Sequence, residues 1–182
     1  MKEAFSLLLI PDPHFSKQLA SLKHQLTELI GRDYPSSRAP AHLSICSFRL
    51  KSGTGTELCA FIDILSLKAP ALNLSCQGFA SFSQTRTLYL NLAAPEIFTA
   101  FQKEFKHTLK EAFPPLKRNM SLASQPHITI GRNLKVLELE AALQHFQNDF
   151  NDLEFKGQVL RLLINRMGRM EMYKEWNLSA GI

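Results

Sequence analysis

The chain reads as two copies of one plan, and nothing else in it limits the fold so much. Sliding the sequence along itself by about 83 residues sets Phe5, Leu7 and Leu9 on Leu88, Leu90 and Leu92, alternating positions that share one face of a strand. Phe15 then falls on Phe98, and Lys23-His24 on Lys106-His107. The apolar stripe Phe15, Leu19, Leu22, Leu26, Leu29 is echoed by Phe98, Phe101, Phe105, Leu109, Phe113, each at the three-to-four spacing of a helix face. His42 lands within two positions of His127. Each copy is therefore a strand, a helix, an irregular loop and a second strand carrying a histidine. Such a chain is constrained to two pseudo-symmetric halves; the alternative is chance likeness between two amphipathic helices.

The remaining punctuation fits a mixed fold. Strands are expected at Phe5–Ile10, His42–Phe48, Ala71–Phe82, Thr87–Leu92 and Pro126–Ile130. Helices are expected from Asp12 or Pro13 to Ile30, at Thr56–Leu67, at Pro95–Phe113 and within Leu134–Phe150. The first has Pro in its opening turn and Gly31 just past its end. Glu154–Leu178 reads as two strands turning near Gly168. Several strand pairs are joined by short turns, which favours α+β with antiparallel sheets over a doubly wound parallel sheet. At 182 residues, the chain is expected to be a single two-lobed domain spanning 1–182.

The repeated histidines sit in matching strings, Ala41-His42-Leu43-Ser44-Ile45 and Pro126-His127-Ile128-Thr129-Ile130. On a strand the histidine and the hydroxyl share one face while the aliphatics bury on the other. Ser and Thr make up about one residue in eight, so six histidines yield roughly one His-x-Ser/Thr by chance. Three occur. His14-Phe15-Ser16 lies at a helix start, without apolar alternation, and is discarded. The two on strands could set two imidazoles and two hydroxyls around one phosphate. An imidazole titrates near ~6.5, so one ring can accept a proton while its partner donates one. Ser44 and Thr129 sit in no nucleophile elbow, and no Asp is placed to build a triad; hydrogen-bond donation to non-bridging phosphate oxygens suits them better.

These strings, half a chain apart, resemble the tandem signature of the 2H phosphoesterase superfamily, and within it the 2′-5′ RNA ligase (LigT-like) and cyclic phosphodiesterase group. The strand element Gly78-Phe79-Ala80-Ser81-Phe82 between them fits the same pattern. The resemblance implies a bilobal α+β fold, two antiparallel sheets facing a central cleft with helices packed outside. It also implies metal-independent hydrolysis of a cyclic phosphodiester, or reversible formation of a 2′-5′ RNA linkage, with His42, Ser44, His127 and Thr129 as catalytic residues. No cofactor or metal is called for. The expected substrate is an RNA end or small nucleotide bearing a cyclic phosphate. Ser44 stands where Thr is frequent in the family, and no basic residue occupies Cys46 or Ser47. Gly131-Arg132 resembles the Arg often found after the second motif. Strand parity turns Arg132 away from the cleft unless Gly131 kinks the strand, in which case it is a phosphate contact. Tyr89 is the candidate for stacking on a base or ribose. A binding module of the same fold with little turnover, and an unrelated protein with structural histidines, are the competing readings.

Composition narrows the setting. The formal charge of +5 suits a phosphate-bearing partner, although no basic run of nucleic-acid type is present. Cys46, Cys59 and Cys76 are widely spaced and odd in number, without zinc spacing, which suggests reduced thiols in a cytoplasmic protein. Phe5–Ile10 is far shorter than the ~20 residues of a membrane span, and Glu3 with Pro11-Asp12-Pro13 argues against a signal peptide. A monomer is expected. Specificity is assigned to the loops Asp33–Pro40 and Pro114–Gln125.

Overall fold

The computed structural model describes residues 2–117, 119–122, 125–147 and 152–179. In chain order its elements are β1 (Lys2–Pro11), α1 (Pro13–Ile30), β2 (Leu43–Lys51), α2 (Gly55–Lys68), β3 (Leu72–Phe82), β4 (Thr87–Leu92), α3 (Pro95–Ala112), a 3-10 turn (Pro114–Leu116), β5 (Met120–Leu122), β6 (His127–Gly131), α4 (Val136–Gln147), β7 (Leu153–Arg166) and β8 (Arg169–Asn177). The last three positions of the helix expected up to Phe150 lie outside the described residues.

The repeat is structural. β1–α1–β2 and β4–α3–β6 follow the same course, and α1 and α3 each run 18 residues behind a leading proline. Local signals set their ends. Asp12 Oδ1 accepts the Phe15 N–H at 3.0 Å as an N-cap, and Gly31 closes α1 at φ 68°, a left-handed conformation that glycine adopts without strain. The buried stripe of α1 is Phe15, Leu19, Lys23 and Leu26, so a lysine stands where an all-apolar face was expected, and Leu29 is exposed.

All strand pairs are antiparallel, in the order β5-β2-β1-β7-β3-β4-β6, with β8 also on β7. The α+β fold with outer helices is as expected, and its two expected sheets prove to be joined edge to edge. β1 runs along one edge of β7, while β3 and then β8 share the other. Gly157 is the crossing point, paired with Pro11 on one side and Leu72 on the other. A Cβ there would stand 2.5 Å from Leu9 Cδ2, so only glycine lets the halves meet so closely.

The two long helices reach into the opposite half, while α4 packs on β3 and β4 of its own. α1 packs on β6 and α3 on β2. The helix-covered face buries Phe5, Leu7, Leu9, Leu43, Ile45, Leu90, Ile128 and Ile130. Each such side chain stabilises the fold by roughly 1.5–3 kcal/mol. The other face holds the histidines. Cys46, Cys59 and Cys76 are unpaired and buried, and desolvation pushes the thiols of Cys46 and Cys76 up to about 12. Among the described residues no helix is long and apolar enough to cross a membrane.

Candidate active site

The two halves bring His42, Ser44, His127 and Thr129 to the wall of one cleft of about 580 Å³. The matching strands build both sides alike. β2 and β6 each carry an extra residue just beyond the hydroxyl. Leu8 pairs with Ser44 but Leu7 with Cys46, and Tyr89 pairs with Thr129 but Leu88 with Gly131. Ile45 and Ile130 are therefore β-bulges, and each inverts the side-chain parity of the residues after it.

That inversion decides Arg132. With a bulge before Gly131, Arg132 joins the cleft lining instead of pointing away. Its backbone N–H donates to Ser36 Oγ at 3.0 Å, and no described carboxylate pairs with its guanidinium. Gly131 is constrained as well, since a Cβ there would meet Leu26 Cδ2 at 2.7 Å and Leu134 Cδ1 at 3.1 Å.

The histidines are held by one device used twice. His42 Nδ1 lies 2.9 Å from the carbonyl of Pro40, and His127 Nδ1 lies 2.8 Å from the carbonyl of Gln125. A carbonyl oxygen can only accept, so Nδ1 carries the hydrogen in both rings and Nε2 is the nitrogen that this contact leaves over. The surroundings then differ. The His42 pKa is lowered, first by desolvation and further by the charges of Lys23, His127 and Arg161, against the opposing pull of the Pro40 carbonyl. At neutral pH its ring is neutral with the Nε2 lone pair available. His127 instead makes T-shaped contacts with two aromatic rings, Phe82 at 5.0 Å and Tyr89 at 5.2 Å between centroids.

Tyr89 is thereby placed differently from its expected role. It is only 4% exposed, stacked on Phe82 at 4.3 Å, and its hydroxyl accepts from Gln125 Nε2 at 3.1 Å. It backs His127 rather than presenting a free face to a base. Phe82 takes the cleft position in front of it.

Two buried polar side chains support the first motif. Lys23 donates to the carbonyls of Ser36 at 3.0 Å and Ala39 at 2.6 Å, tying down the loop that delivers Pro40. Burial lowers its ammonium pKa to about 8. Gln102, from α3, donates Nε2 to the carbonyls of Ser44 at 3.3 Å and Ile45 at 2.7 Å, satisfying the bulge. Neither role was legible in the sequence.

The lip of the cleft was also missed. Ser81, Ser83, Gln84, Thr85 and Thr87 of the β3–β4 hairpin line it, with Gln125 opposite. The available signal was the run of hydroxyls at every second position, Ser81, Ser83, Thr85 and Thr87. Of the expected specificity loops, Ser36 touches the rim through Arg132, and Gln125 lines the cleft; residues 118, 123 and 124 lie outside the described residues.

A family model described as the 2′-5′ RNA ligase superfamily matches residues 11–169. Among solved structures, Escherichia coli LigT complexed with 3′-AMP is 11% identical and superposes with a TM-score of 0.65 over 98% of both chains. TT0787 of Thermus thermophilus is 13% identical, with a TM-score of 0.62 over 98% of both chains. LigT in apo form is 14% identical, with a TM-score of 0.60 over 98% of this chain and 99% of its own. At these identities the likeness is one of fold. No curated protein matches in sequence.

Proposed function

The chain belongs to the 2′-5′ RNA ligase superfamily, and from that premise we propose that it hydrolyses a cyclic phosphodiester, either the 2′,3′-cyclic phosphate of an RNA end or a small cyclic nucleotide. The observation that carries this reading is the pair of imidazoles in one cleft, each with Nδ1 bound to a carbonyl and Nε2 left over. The proton inventory then closes on the two rings. Neutral His42 takes a proton from water at Nε2 as the oxygen attacks phosphorus. One ribose P–O bond breaks, and protonated His127 gives its Nε2 proton to the leaving oxygen. The product is a phosphomonoester with a free neighbouring hydroxyl. Proton exchange with solvent then resets both rings.

The lowered pKa of His42 keeps its ring unprotonated at neutral pH, the state in which it can accept a proton. Ser44 and Thr129 donate to the non-bridging oxygens, where charge gathers in the transition state, and Arg132 supplies a cation from the bulge. The volume suits a nucleotide-sized ligand. LigT has been solved complexed with 3′-AMP, ATP and phosphate. A nucleoside 3′-phosphate is one of the two monoesters such a ring opening leaves. A 5′-hydroxyl RNA end in place of the water would turn the same proton transfers into 2′-5′ joining.

Turnover of nucleoside 2′,3′-cyclic phosphates, measured in EDTA, tests the proposal. His42→Ala and His127→Ala should each lower kcat by about 10²-fold or more. Undiminished turnover in either variant removes that histidine from the mechanism. RNA binding with no turnover of any cyclic phosphate favours the binding-module reading instead.

A further inference from the structure

We propose that the open sheet face beside the first motif is a track for single-stranded RNA, carrying the chain upstream of the reacting end from the cleft to a cation cluster at Lys2, Arg49 and Lys51. The track rests on the proposed function of the cleft, which seats the phosphorylated end.

The bulge at Ile45 creates the track. Without it Ser47, Arg49 and Lys51 would turn toward the helices; with it they continue the face of His42 and Ser44. On β1, Ser6 stands opposite Ser47 and Lys2 opposite Lys51, on the same face. The helices cover the other side, where Phe5, Phe48 and Leu50 are buried. Ser44 to Lys51 spans about 20 Å at the usual rise per strand residue, the reach of a few nucleotides rather than one.

The floor of this face mixes hydroxyl and amide groups with apolar ones. A separate hollow of about 340 Å³ opens beyond the cleft, lined by Ser6, Ser47, Arg49, Asn119 and Ser121 and by apolar residues of β1, β2 and β8. The hydroxyls of Ser6 and Ser47 lie 3.1 Å apart, and the Ser121 hydroxyl donates to the Ser47 carbonyl at 3.3 Å. Hydroxyl and amide groups of this kind suit ribose and base edges without demanding one sequence.

The far end identifies the polyanion. Lys2 and Lys51 are directly paired across the strands, with Arg49 beside them on β2. Like charges set opposite one another are unfavourable unless an anion joins them. Elsewhere on this sheet Arg161 pairs with Glu175 and Arg166 with Glu171; of the other cations, Lys156 is set opposite Asn73, and Arg169 opposite the paired Arg166. Among the described residues, Lys2, Arg49 and Lys51 form no ion pair with a carboxylate. A chain of phosphates leaving the cleft would complete the cluster, and the covalent continuity of that chain with the reacting end favours RNA over an acidic protein segment.

Fluorescence anisotropy tests the track without relying on turnover. The probes are a hexaribonucleotide ending in a 3′-phosphate and a labelled nucleoside 3′-phosphate. The wild-type protein should bind the hexamer about tenfold tighter or better. The double variant Arg49→Glu, Lys51→Glu should lose that advantage and keep its affinity for the mononucleotide, which also reports an intact fold. The slope of log affinity against log salt should flatten by about 0.7 for each phosphate no longer neutralised, and Arg49→Lys should retain wild-type binding. Equal affinity for the two probes in the wild type overturns the track. So does an unchanged hexamer affinity in the double variant, or equal displacement of the hexamer by polyglutamate. Because binding is the readout, failure of the hydrolysis assay and failure of the track are separate results.

Discussion

His42 and His127 each donate the Nδ1–H to a carbonyl two residues upstream, so the proposed division into base and acid rests on what else surrounds each ring. For His42 the charges that act on the ring are Lys23, His127 and Arg161, all of which disfavour protonation, after desolvation as the larger cause. Lys23→Met removes one of them and should move the acid limb of the kcat/KM pH profile upward. If Lys23 merely shaped the loop, the rate would change and the limb would stay in place. The lysine carries its own pH signature. Its native pKa is about 8 against 10.5 for the free amine, so between those values the unfolded chain holds the extra proton. Stability should therefore rise from about pH 8 to 10.5 relative to Lys23→Met, read as the difference in urea midpoints. The four motif residues were legible because histidine and hydroxyl recur on alternating strands. Lys23 was not, because an amine on an apolar stripe looks like a flank of the stripe until the loop carbonyls that hold it are in place. Tyr89 was assigned to the correct sheet face but not to its depth, since Phe82 covers it from a strand whose register no local pattern reveals.

At the scale of elements, the two β-bulges matter most. They let a strand that buries Leu43 and Ile45 present Ser44 and then Ser47 to the same side, and they do the same for Thr129 and Arg132. Gln102 secures the first bulge from α3. Gln102→Leu should leave two carbonyls without their donor and cost about 1–3 kcal/mol of unfolding free energy, measured by urea denaturation with an unchanged m-value. A wild-type midpoint would show that the contact carries no stability. Gly157→Val at the crossing of β1, β7 and β3 should cost about 1–3 kcal/mol through overpacking against Leu9. Most strand and helix positions were readable from periodicity, caps and prolines, but β5 was not, since Met120–Leu122 is too short to show a period and lies in the stretch expected as a loop. The bulges were not, because one extra residue leaves the apolar pattern nearly intact and shows only when partner strands are laid in register.

For the molecule as a whole, β7 is the joint: one edge holds β1, and the other holds β3 and then β8. We propose that this makes the chain a single cooperative unit. The one tryptophan, Trp176 on β8, bonds to Asp63 of α2 and reports the first half, whereas far-UV circular dichroism reports both. The two urea transitions should coincide; separate midpoints would show halves that unfold independently. The sequence by itself determined the repeat, the main strands and helices and the four motif residues, because each is written in local periodicity, and periodicity is what backbone geometry imposes on a chain. Only the tertiary structure decided the joined sheet, the crossed helices, the depth of Tyr89 and the turn of Arg132 into the cleft. Those depend on which strands pair and in what register, and register is set by contacts between residues tens of positions apart, which no local pattern records.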